Sequence, residues 1–315
     1  MRDGIPDPGE LRAVDHDGDV RLLRRLDIRE GETGVGGRID TVVGVVVDVE
    51  TTGIGDDDVI IELALRRFRA DPEGVIVKID RPYSWLEDPG RNLPEDIVRL
   101  TGLTDAEIAG KVIDDAAAIR LLRSADFVCA HNAAFDRGHI ERRLPATAGL
   151  SWTCSCNDID WRASGFDGRS LGWLLAQVGY FHGAHRAGDD VDAVIALLQK
   201  RLPPGWTALA EMLERARAPS WRFKAIGAAF DVKDLLRMRG YGRRRGRLYW
   251  HGFQCRRRRA ALHPTGSGRF RFTRSPGSPF RSSFVRVRLH RSTPFIGQGS
   301  PTGSPANPFS RQSGA

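Results

Sequence analysis

The sequence predicts an α/β fold in which a mixed central sheet is flanked by helices. Residues Thr41 to Glu50 are a run of valines, and two further segments rich in β-branched residues follow, Val59 to Ala70 and Val75 to Trp85, joined by a hairpin-type connection. From Asn92 onward, short helical patterns alternate with short apolar strands. An antiparallel three-strand start followed by β-α-β alternation is typical of a mixed sheet covered by helices.

The valine strand reads TVVGVVVDVE and ends in two carboxylates, Asp48 and Glu50. It stops at Thr51, Thr52 and Gly53. Side chains alternate along a strand, so both carboxylates leave the same face. Two carboxylates at the end of a buried strand repel each other and are costly to desolvate, which favours a divalent cation with oxygen ligands between them. A strand that surfaces into a polar turn would give the same short pattern.

The composition is that of a soluble globular protein, with 41% hydrophobic and 28% charged residues over 315 positions. No run approaches the roughly 18 apolar residues of a membrane span, and we expect a cytoplasmic protein. Its four cysteines show no disulfide framework. Cys154-Ser155-Cys156 could hold a soft metal, but reduced strand cysteines explain the pattern better.

Helix signals follow the hairpin. Pro94 to Leu100 predicts a short helix, Thr104 with Glu107 predicts a capping box, and Asp114 to Ser124 predicts a third helix with Ile113, Ala117 and Leu121 on its apolar side. Phe127 to Ala130 predicts a buried strand. Further predictions are a short amphipathic helix at Val20 to Ile28, an edge strand at Trp152 to Ile159 and a helix at Ser170 to Val178.

A second acidic position follows the Phe127 to Ala130 strand. The segment is His131-Asn132-Ala133-Ala134-Phe135-Asp136, and it leads into a predicted helix that ends near Leu144. Asp136, Ile140 and Leu144 recur at helical spacing, so the aspartate shares the inward face with apolar residues. A carboxylate there is uncommon without a partner. An acid that only favours the helix dipole is the alternative.

The third acidic position is Asp190, after the loop that contains His182 and His185. Asp190 lies one turn before Val194 in a helix that runs to about Lys200, so it points inward. We expect the neighbouring Asp189 and Asp192 to be solvated.

These positions together resemble the three motifs of the DEDDh, or DnaQ-like, 3′-5′ exonucleases, a family that includes the proofreading epsilon subunit of bacterial DNA polymerase III. The words DVETTG, AHNAAFD and HRAGDD carry the resemblance, which covers about Val42 to Leu202. It implies a ribonuclease H-like fold. The segment from Leu93 to Thr104 also looks like the stretch that lines the substrate groove in that family.

Carried over residue by residue, the resemblance implies that four carboxylates hold two Mg²⁺ or Mn²⁺ ions, namely Asp48, Glu50, Asp136 and Asp190. Two such ions about 3.5 to 4 Å apart can stabilise the attacking and leaving oxygens of an in-line phosphoryl displacement. His185, with an unperturbed pKa of roughly 6.5, is suited to act as general base. His182 has no acid at the matching offset and is assigned to the loop.

The resemblance also implies a set of substrate-binding residues. Backbone amides at Thr51, Thr52 and Gly53 could hold the terminal 3′-hydroxyl and sugar. His131, Asn132 and Phe135 would flank the scissile phosphate and the last base, Phe135 by stacking. A core aromatic is an equal alternative for Phe135.

The sequence divides into an N-terminal extension (1–38), an exonuclease domain (39–203), a small C-terminal module (204–242) and an arginine-rich tail (243–315). Of 48 basic residues, 18 lie between Leu235 and Ala315, where there is no acid. The preceding 234 residues carry 30 basic and all 40 acidic residues. We expect the basic tail to be disordered. Three interpretations of the tail remain. The one that we rank first is a shift of the reading frame near Arg243. The others are an arm that binds nucleic acid by counterion release and an extension without function.

We therefore expect a metal-dependent 3′-5′ exonuclease that acts on single-stranded or frayed DNA ends, in proofreading or repair. A DNA polymerase is a partner that the resemblance allows, although the sequence has no glutamine-led hydrophobic peptide of the kind that docks on a sliding clamp. The alternatives are an exoribonuclease on short RNA and a non-catalytic nucleic-acid-binding protein on a nuclease fold.

Overall fold

The structure is a computed structural model that divides into two compact units, residues 1–216 with 295–315, and residues 217–294. It describes residues 22–37, 41–55, 57–203 and 205–217, together with the backbone of five later strands. The limits of the four predicted sequence segments remain predictions.

The centre of the first unit is a six-stranded mixed sheet. Its strands are β2 (Gly31–Glu32), β3 (Val42–Thr51), β4 (Ile60–Ala70), β5 (Ile76–Leu86), β6 (Phe127–Ala130) and β7 (Trp152–Cys154), in the order β2-β5-β4-β3-β6-β7. Neighbours from β2 to β3 are antiparallel, whereas β6 and β7 run parallel to β3. A separate parallel pair joins β1 (Arg24–Arg25) to β8 (Tyr180–Phe181).

Helices cover both faces of this sheet. They are α1 (Glu95–Thr101), α2 (Asp105–Ile108), α3 (Asp115–Arg123), α4 (Ala133–Arg143), α5 (Leu171–Gln177), α6 (Ala187–Gln199) and α7 (Ala208–Arg217). The predicted capping box at Thr104 and Glu107 is present, and Asp114 caps α3 through the amide of Ala117. The predicted mixed α/β fold with a helix-flanked central sheet is confirmed.

The alternation of β3 divides the core in two. Val46 packs in the cluster that contains α5, α6 and α7, whereas Val45 and Val47 pack with residues of α3 and α4 on the other face. Asp48 and Glu50 continue the Val46 side, so the strand delivers both carboxylates towards α6.

Gly44 on β3 lies beneath two aromatic rings. Phe68 and Phe127 meet edge to face there, with ring centroids 5.9 Å apart. A Cβ atom at Gly44 would lie 2.4 Å from Phe68 Cζ and 2.7 Å from Phe127 Cζ. Glycine is therefore required at this position by space.

Two secondary-structure predictions are wrong. Residues 22–28 form no helix; instead Arg24 and Arg25 pair with β8, and Leu22 and Leu23 are exposed, because the loop edge offers backbone partners and no surface for a leucine stripe. The apolar face of α3 is shifted by one residue. Ala118 and Leu122 are buried there, whereas Ala117 and Leu121 are only partly covered.

The second unit contains a five-stranded antiparallel sheet in the order β10-β11-β9-β13-β12. The strands are β9 (Ser220–Ile226), β10 (Tyr241–Arg244), β11 (Arg247–Trp250), β12 (Ser267–Arg271) and β13 (Phe284–Ser292). In β13, apolar residues and arginine alternate at the period of a strand. The predicted disorder of the tail (243–315) stays a prediction. The rest of the tail, residues 204, 218–219 and 227–240 of the C-terminal module, and residues 1–21, 38–40 and 56 lie outside the described residues.

Candidate active site

Three carboxylates from two elements converge at the end of β3. Asp48 and Glu50 leave the strand on one face, and Asp190 comes from the first turn of α6. One oxygen of each lies within 4.8 Å of the others. Sequence positions 140 residues apart are thus brought into one acidic cluster, as the motif spacing predicted.

Asp136 stands beside this cluster on the first turn of α4. It is 2% exposed, and it lies outside the set of carboxylates within 4.8 Å of one another in the described part of the chain. Its charge nevertheless raises the pKa of Asp48, second only to burial as a cause, so the two groups are close. The inward orientation predicted from helical spacing is present.

The protonation of these acids is strongly perturbed. Burial, followed by repulsion from Asp190 and Glu62, raises the pKa of Glu50 to about 7, which Arg186 partly offsets. Burial raises the pKa of Asp136 to about 8. Hydrogen bonds from the backbone amides of Asp136 and Val49 act in the opposite direction and lower it. Burial and the neighbouring carboxylates also raise the pKa of Asp48 well above its usual range.

Such a cluster fits a divalent cation. Each carboxylate offers hard oxygen donors, and burial together with mutual repulsion raises the pKa of Asp48 and Glu50, which a nearby cation would counter. A cation held by Asp48, Glu50 and Asp190 would supply that charge.

The two loop histidines contact Asp190 in different ways. His182 Nε2 lies 2.6 Å from Asp190 Oδ1, and its side chain is 5% exposed. The His185 backbone amide donates to Asp190 Oδ2 at 3.0 Å, and His185 itself is exposed. His182 lies in the loop, as predicted from the sequence, but the loop folds back and brings its ring onto Asp190, a contact that the sequence offset did not indicate.

Two non-glycine residues within the described ranges have left-handed backbone, and both border the acidic cluster. They are Asn132 (φ 77°) directly before α4 and His185 (φ 65°) shortly before α6. This conformation is costly for residues other than glycine and is concentrated at functional sites.

The turn after β3 is held by side-chain hydrogen bonds. Thr51 Oγ1 donates to Gly53 O at 2.5 Å, and Thr52 Oγ1 donates to Asp58 Oδ1 at 2.8 Å. Arg91 Nη2 donates to Thr52 Oγ1 at 3.1 Å. The Thr52 hydroxyl is thus committed to the turn, whereas binding through backbone groups at Thr51 to Gly53 stays a prediction.

His131 and Phe135 also have partners within the protein. His131 lies 2.9 Å from Ser155 Oγ through Nδ1 and 2.9 Å from Arg169 O through Nε2, and burial lowers its pKa. Phe135 is half-buried against the second core cluster, with its ring centroid 4.6 Å from that of His139. It therefore serves the core and retains an exposed part.

Sequence reasoning missed two ionic contacts between β4 and α6. The buried Glu62, directly opposite Glu50, accepts hydrogen bonds from Arg186 Nε at 3.1 Å and from the Ala187 amide at 3.3 Å. Four residues along β4, the buried Arg66 donates to Asp192 Oδ1 at 2.6 Å. The expectation that Asp192 is solvated is wrong, since the guanidinium of Arg66 draws it towards the sheet.

One segment of the chain matches a known protein family. Residues 45–198 match the family model described as Exonuclease (RNase_T). The match supports a DEDD-type exonuclease family. It supports a hydrolytic exonuclease acting on nucleic acid, and no curated protein matches the chain.

Several solved structures are similar. Exonuclease X in complex with 5′ overhanging duplex DNA is 26% identical, covering 48% of this chain and 88% of that one (TM-score 0.37). The zinc-bound E. coli Exonuclease I–ssDNA complex is 20% identical over 59% of this chain and 48% of that one (0.44), and Exonuclease I from Methylocaldum szegediense is 18% identical over 60% and 49% (0.44). The chain spans about half the length of these two Exonuclease I structures.

None of the helices in the described ranges combines the length and apolar character needed to cross a bilayer.

Proposed function

We propose that the chain is a metal-dependent 3′-5′ exonuclease that releases nucleoside 5′-monophosphates from single-stranded or frayed DNA ends, in proofreading or repair. The observation that carries this proposal is the convergence of Asp48, Glu50 and Asp190 within 4.8 Å, in a segment that matches an exonuclease family. A relation to the epsilon proofreading subunit, with a DNA polymerase as partner, belongs to the same proposal.

Asp48, Glu50, Asp136 and Asp190 would hold Mg²⁺ or Mn²⁺. Bound divalent cations supply Lewis acidity for attack on a phosphodiester and for departure of the leaving oxygen. The protein contributes rigidity, because strand β3 and the first turns of α4 and α6 fix the carboxylates before substrate binds.

His185 is proposed as the group that accepts a proton from the attacking water. Its imidazole is exposed, while its backbone is held by Asp190. His182, nearly buried against the same carboxylate, would orient Asp190. In this proposal His185 is the general base and His182 is a positioning residue.

The terminal nucleotide would lie between the β3 turn and the start of α4. Backbone groups at Thr51 to Gly53 would hold the sugar and 3′-hydroxyl. Asn132 and His131 would flank the phosphate, and the exposed part of Phe135 would contact the last base.

The test uses a DNA oligonucleotide labelled at its 3′ or its 5′ end, with Mg²⁺ and with a chelator. Release of labelled mononucleotide from the 3′ label at the earliest times, together with a 5′-labelled ladder that shortens stepwise, is expected in Mg²⁺ only. Asp48→Ala and Asp136→Ala should each abolish release, whereas Asp27→Ala, which removes an exposed loop acid, should not. Full activity in either of the first two variants contradicts the metal assignment, and a matched RNA oligomer tests the choice of DNA.

A further inference from the structure

A second surface suited to nucleic acid lies on the sheet face turned away from the acidic cluster. Tyr83 and Trp85 on β5 lie opposite Leu65 and Leu63 on β4, which point into the core beneath α3 and α4. Glu62 and Ala64 alternate with these leucines and face the acidic cluster. The two surfaces are therefore separated by the thickness of the sheet.

This surface is concave. Between β5 and α3 lies a cavity of about 520 Å³ lined in part by Arg67, Arg81, Tyr83, Trp85, Arg120 and Leu121, which we name the β5–α3 groove. A second cavity of about 550 Å³ adjoins it and adds Arg69 and Lys78. Volumes of this size are typical of sites that hold a small organic ligand or a nucleotide.

The groove is predominantly basic. Of its positive groups, Arg67 is paired with Asp80 at 2.5 Å, but neither Arg81 nor Arg120 forms an ion pair with any residue that the structure describes. The acid on its rim, Asp114, is already occupied as the cap of α3. Arg81 Nε donates to the Tyr83 hydroxyl at 2.9 Å, so the terminal nitrogens of Arg81 and the guanidinium of Arg120 are the groups that an anionic ligand can reach.

Aromatic rings line the same groove. Tyr83 and Trp85 stack with their ring centroids 5.8 Å apart at an interplanar angle of 23°, and the guanidinium of Arg81 lies 4.6 Å from the centroid of Tyr83. Both rings are half-buried and keep an exposed part. Positive groups beside stacked aromatic rings are what single-stranded nucleic acid requires, since its bases can stack and its phosphates need neutralisation.

A route from the acidic cluster to the groove would lead around the β5 edge of the sheet, beside the α1–α2 residues that pack with Leu86. Strand β2 pairs with β5 only at Lys78 and Ile79, so the outer edge of β5 from Asp80 to Leu86 has no partner among the described strands. Leu86 is the residue opposite Glu62, at the same end of the sheet as Glu50. A strand leaving the cluster across β4 and β5 would meet this edge.

We propose that the β5–α3 groove binds single-stranded nucleic acid on the 5′ side of the end held at the acidic cluster. Arg81 and Arg120 contact phosphates, the exposed part of Trp85 stacks on a base, and Tyr83 supports both Trp85 and Arg81. The direction of the strand rests on the proposed 3′-5′ exonuclease function. The groove itself stands on its own charges and rings.

The first test is photocrosslinking of the full-length chain, with a chelator present so that no hydrolysis occurs. Oligothymidine strands carry one 4-thiothymidine at a defined distance from the 3′ end, and crosslinked peptides are mapped by mass spectrometry. The peptide that contains Tyr83 and Trp85 should crosslink to internal positions and not to the terminal base. Crosslinks confined to the acidic cluster or the arginine-rich tail would overturn the proposal.

The second test separates groove binding from catalysis. Arg81→Glu combined with Arg120→Glu should raise KM for a strand of about 20 nucleotides roughly tenfold, with kcat unchanged and with no effect on a trinucleotide. The matched control, Arg24→Glu with Arg25→Glu, reverses two exposed arginines on β1. An equal rise in KM in both double variants would indicate bulk charge alone and contradict the groove.

The two proposals fail in different ways. If wild-type protein degrades no labelled strand but the groove peptide still crosslinks, the exonuclease function is wrong and the binding site remains. If the wild-type protein degrades labelled strands normally and the groove peptide never crosslinks, the groove proposal is wrong and the exonuclease function stands.

Discussion

At the scale of single residues, the contrast between His182 and His185 is the most informative feature. Both contact Asp190, one through its ring and the other through its backbone amide. The ring of His182 is nearly buried against the carboxylate, whereas His185 is exposed, so under the proposed function only His185 would accept a proton from the attacking water. The roles of the two histidines should therefore be separable by kinetics.

We predict that His185→Ala lowers kcat by about 10²–10⁴, the usual contribution of a general base, and leaves KM nearly unchanged. His182→Ala should keep most of kcat at saturating Mg²⁺ but require more Mg²⁺ to reach it, because Asp190 loses its orientation. Mg²⁺ titrations of both variants on one DNA substrate measure this. The opposite pattern would exchange the two assignments.

The sequence predicts His185 and Asp190 because they share one word with the family motif. The contact of His182 with Asp190 could not be predicted, since the two residues are eight positions apart and no helix or strand period relates them. Only the path of the loop after β8 brings them together.

At the scale of elements, α6 is held on β4 by two ionic contacts of opposite polarity. Glu62 accepts hydrogen bonds from Arg186 and from the first amide of the helix, and Arg66 donates a hydrogen bond to Asp192 about one turn later. Asp190 lies between these contacts, so its carboxylate can move little relative to β3 and β4.

We predict two effects of Glu62→Gln. Stability should fall by about 1 kcal/mol, because Arg186 loses a charged partner but stays near water. Removal of the negative charge should also lower the pKa of Glu50, to whose rise Glu62 contributes, and so shift the acidic limb of the activity profile to lower pH.

Thermal unfolding and a pH–rate profile test these effects, with Glu73→Gln in the exposed β4–β5 turn as the matched control. A purely structural role for Glu62 predicts lower stability with an unmoved profile, which would contradict the electrostatic coupling.

Elements with local signals were predictable. The β4–β5 hairpin and the capping box at Thr104 depend on short-range chemistry that the sequence displays. By contrast, β1 is two residues long and depends on backbone groups of β8, more than 150 positions away. Side-chain periodicity carries no information about such a partner.

At the scale of the whole molecule, the raised pKa values couple stability to pH. Glu50 (about 7) and Asp136 (about 8) titrate well above the roughly 4 expected of unfolded carboxylates. Between these limits the folded protein binds more protons than the unfolded chain, so the free energy of unfolding decreases as pH rises. Groups with lowered pKa, such as Asp58 and Asp88, lose their protons at lower pH.

We predict that the metal-free protein loses roughly 5–10 °C in Tm between pH 5 and pH 8 and that excess Mg²⁺ removes most of this slope. Asp48→Asn should flatten the metal-free profile, since it relieves repulsion within the cluster. Thermal unfolding in chelator and in Mg²⁺ measures both effects. A metal-free Tm that rises with pH, or an Asp48→Asn slope equal to that of wild type, would contradict this prediction.

The global architecture was predictable as far as Leu202 because period-two and period-3.6 patterns agree with each other there. Beyond Leu202 the sequence signals disagree. The excess of arginine predicts disorder, whereas the alternation of Val285, Val287 and Leu289 with charged residues has the period of a strand. The disorder of the tail therefore stays a prediction.

The packing at Gly44 affects how inactive variants from random mutagenesis of this chain should be interpreted. A single methyl group there would collide with Phe68 and Phe127 and push neighbouring strands apart. Asp48, four positions later on the same strand, would be displaced with them. In a random mutant library, inactive clones altered at Gly44 would therefore look like losses of catalytic machinery although every reactive group is intact.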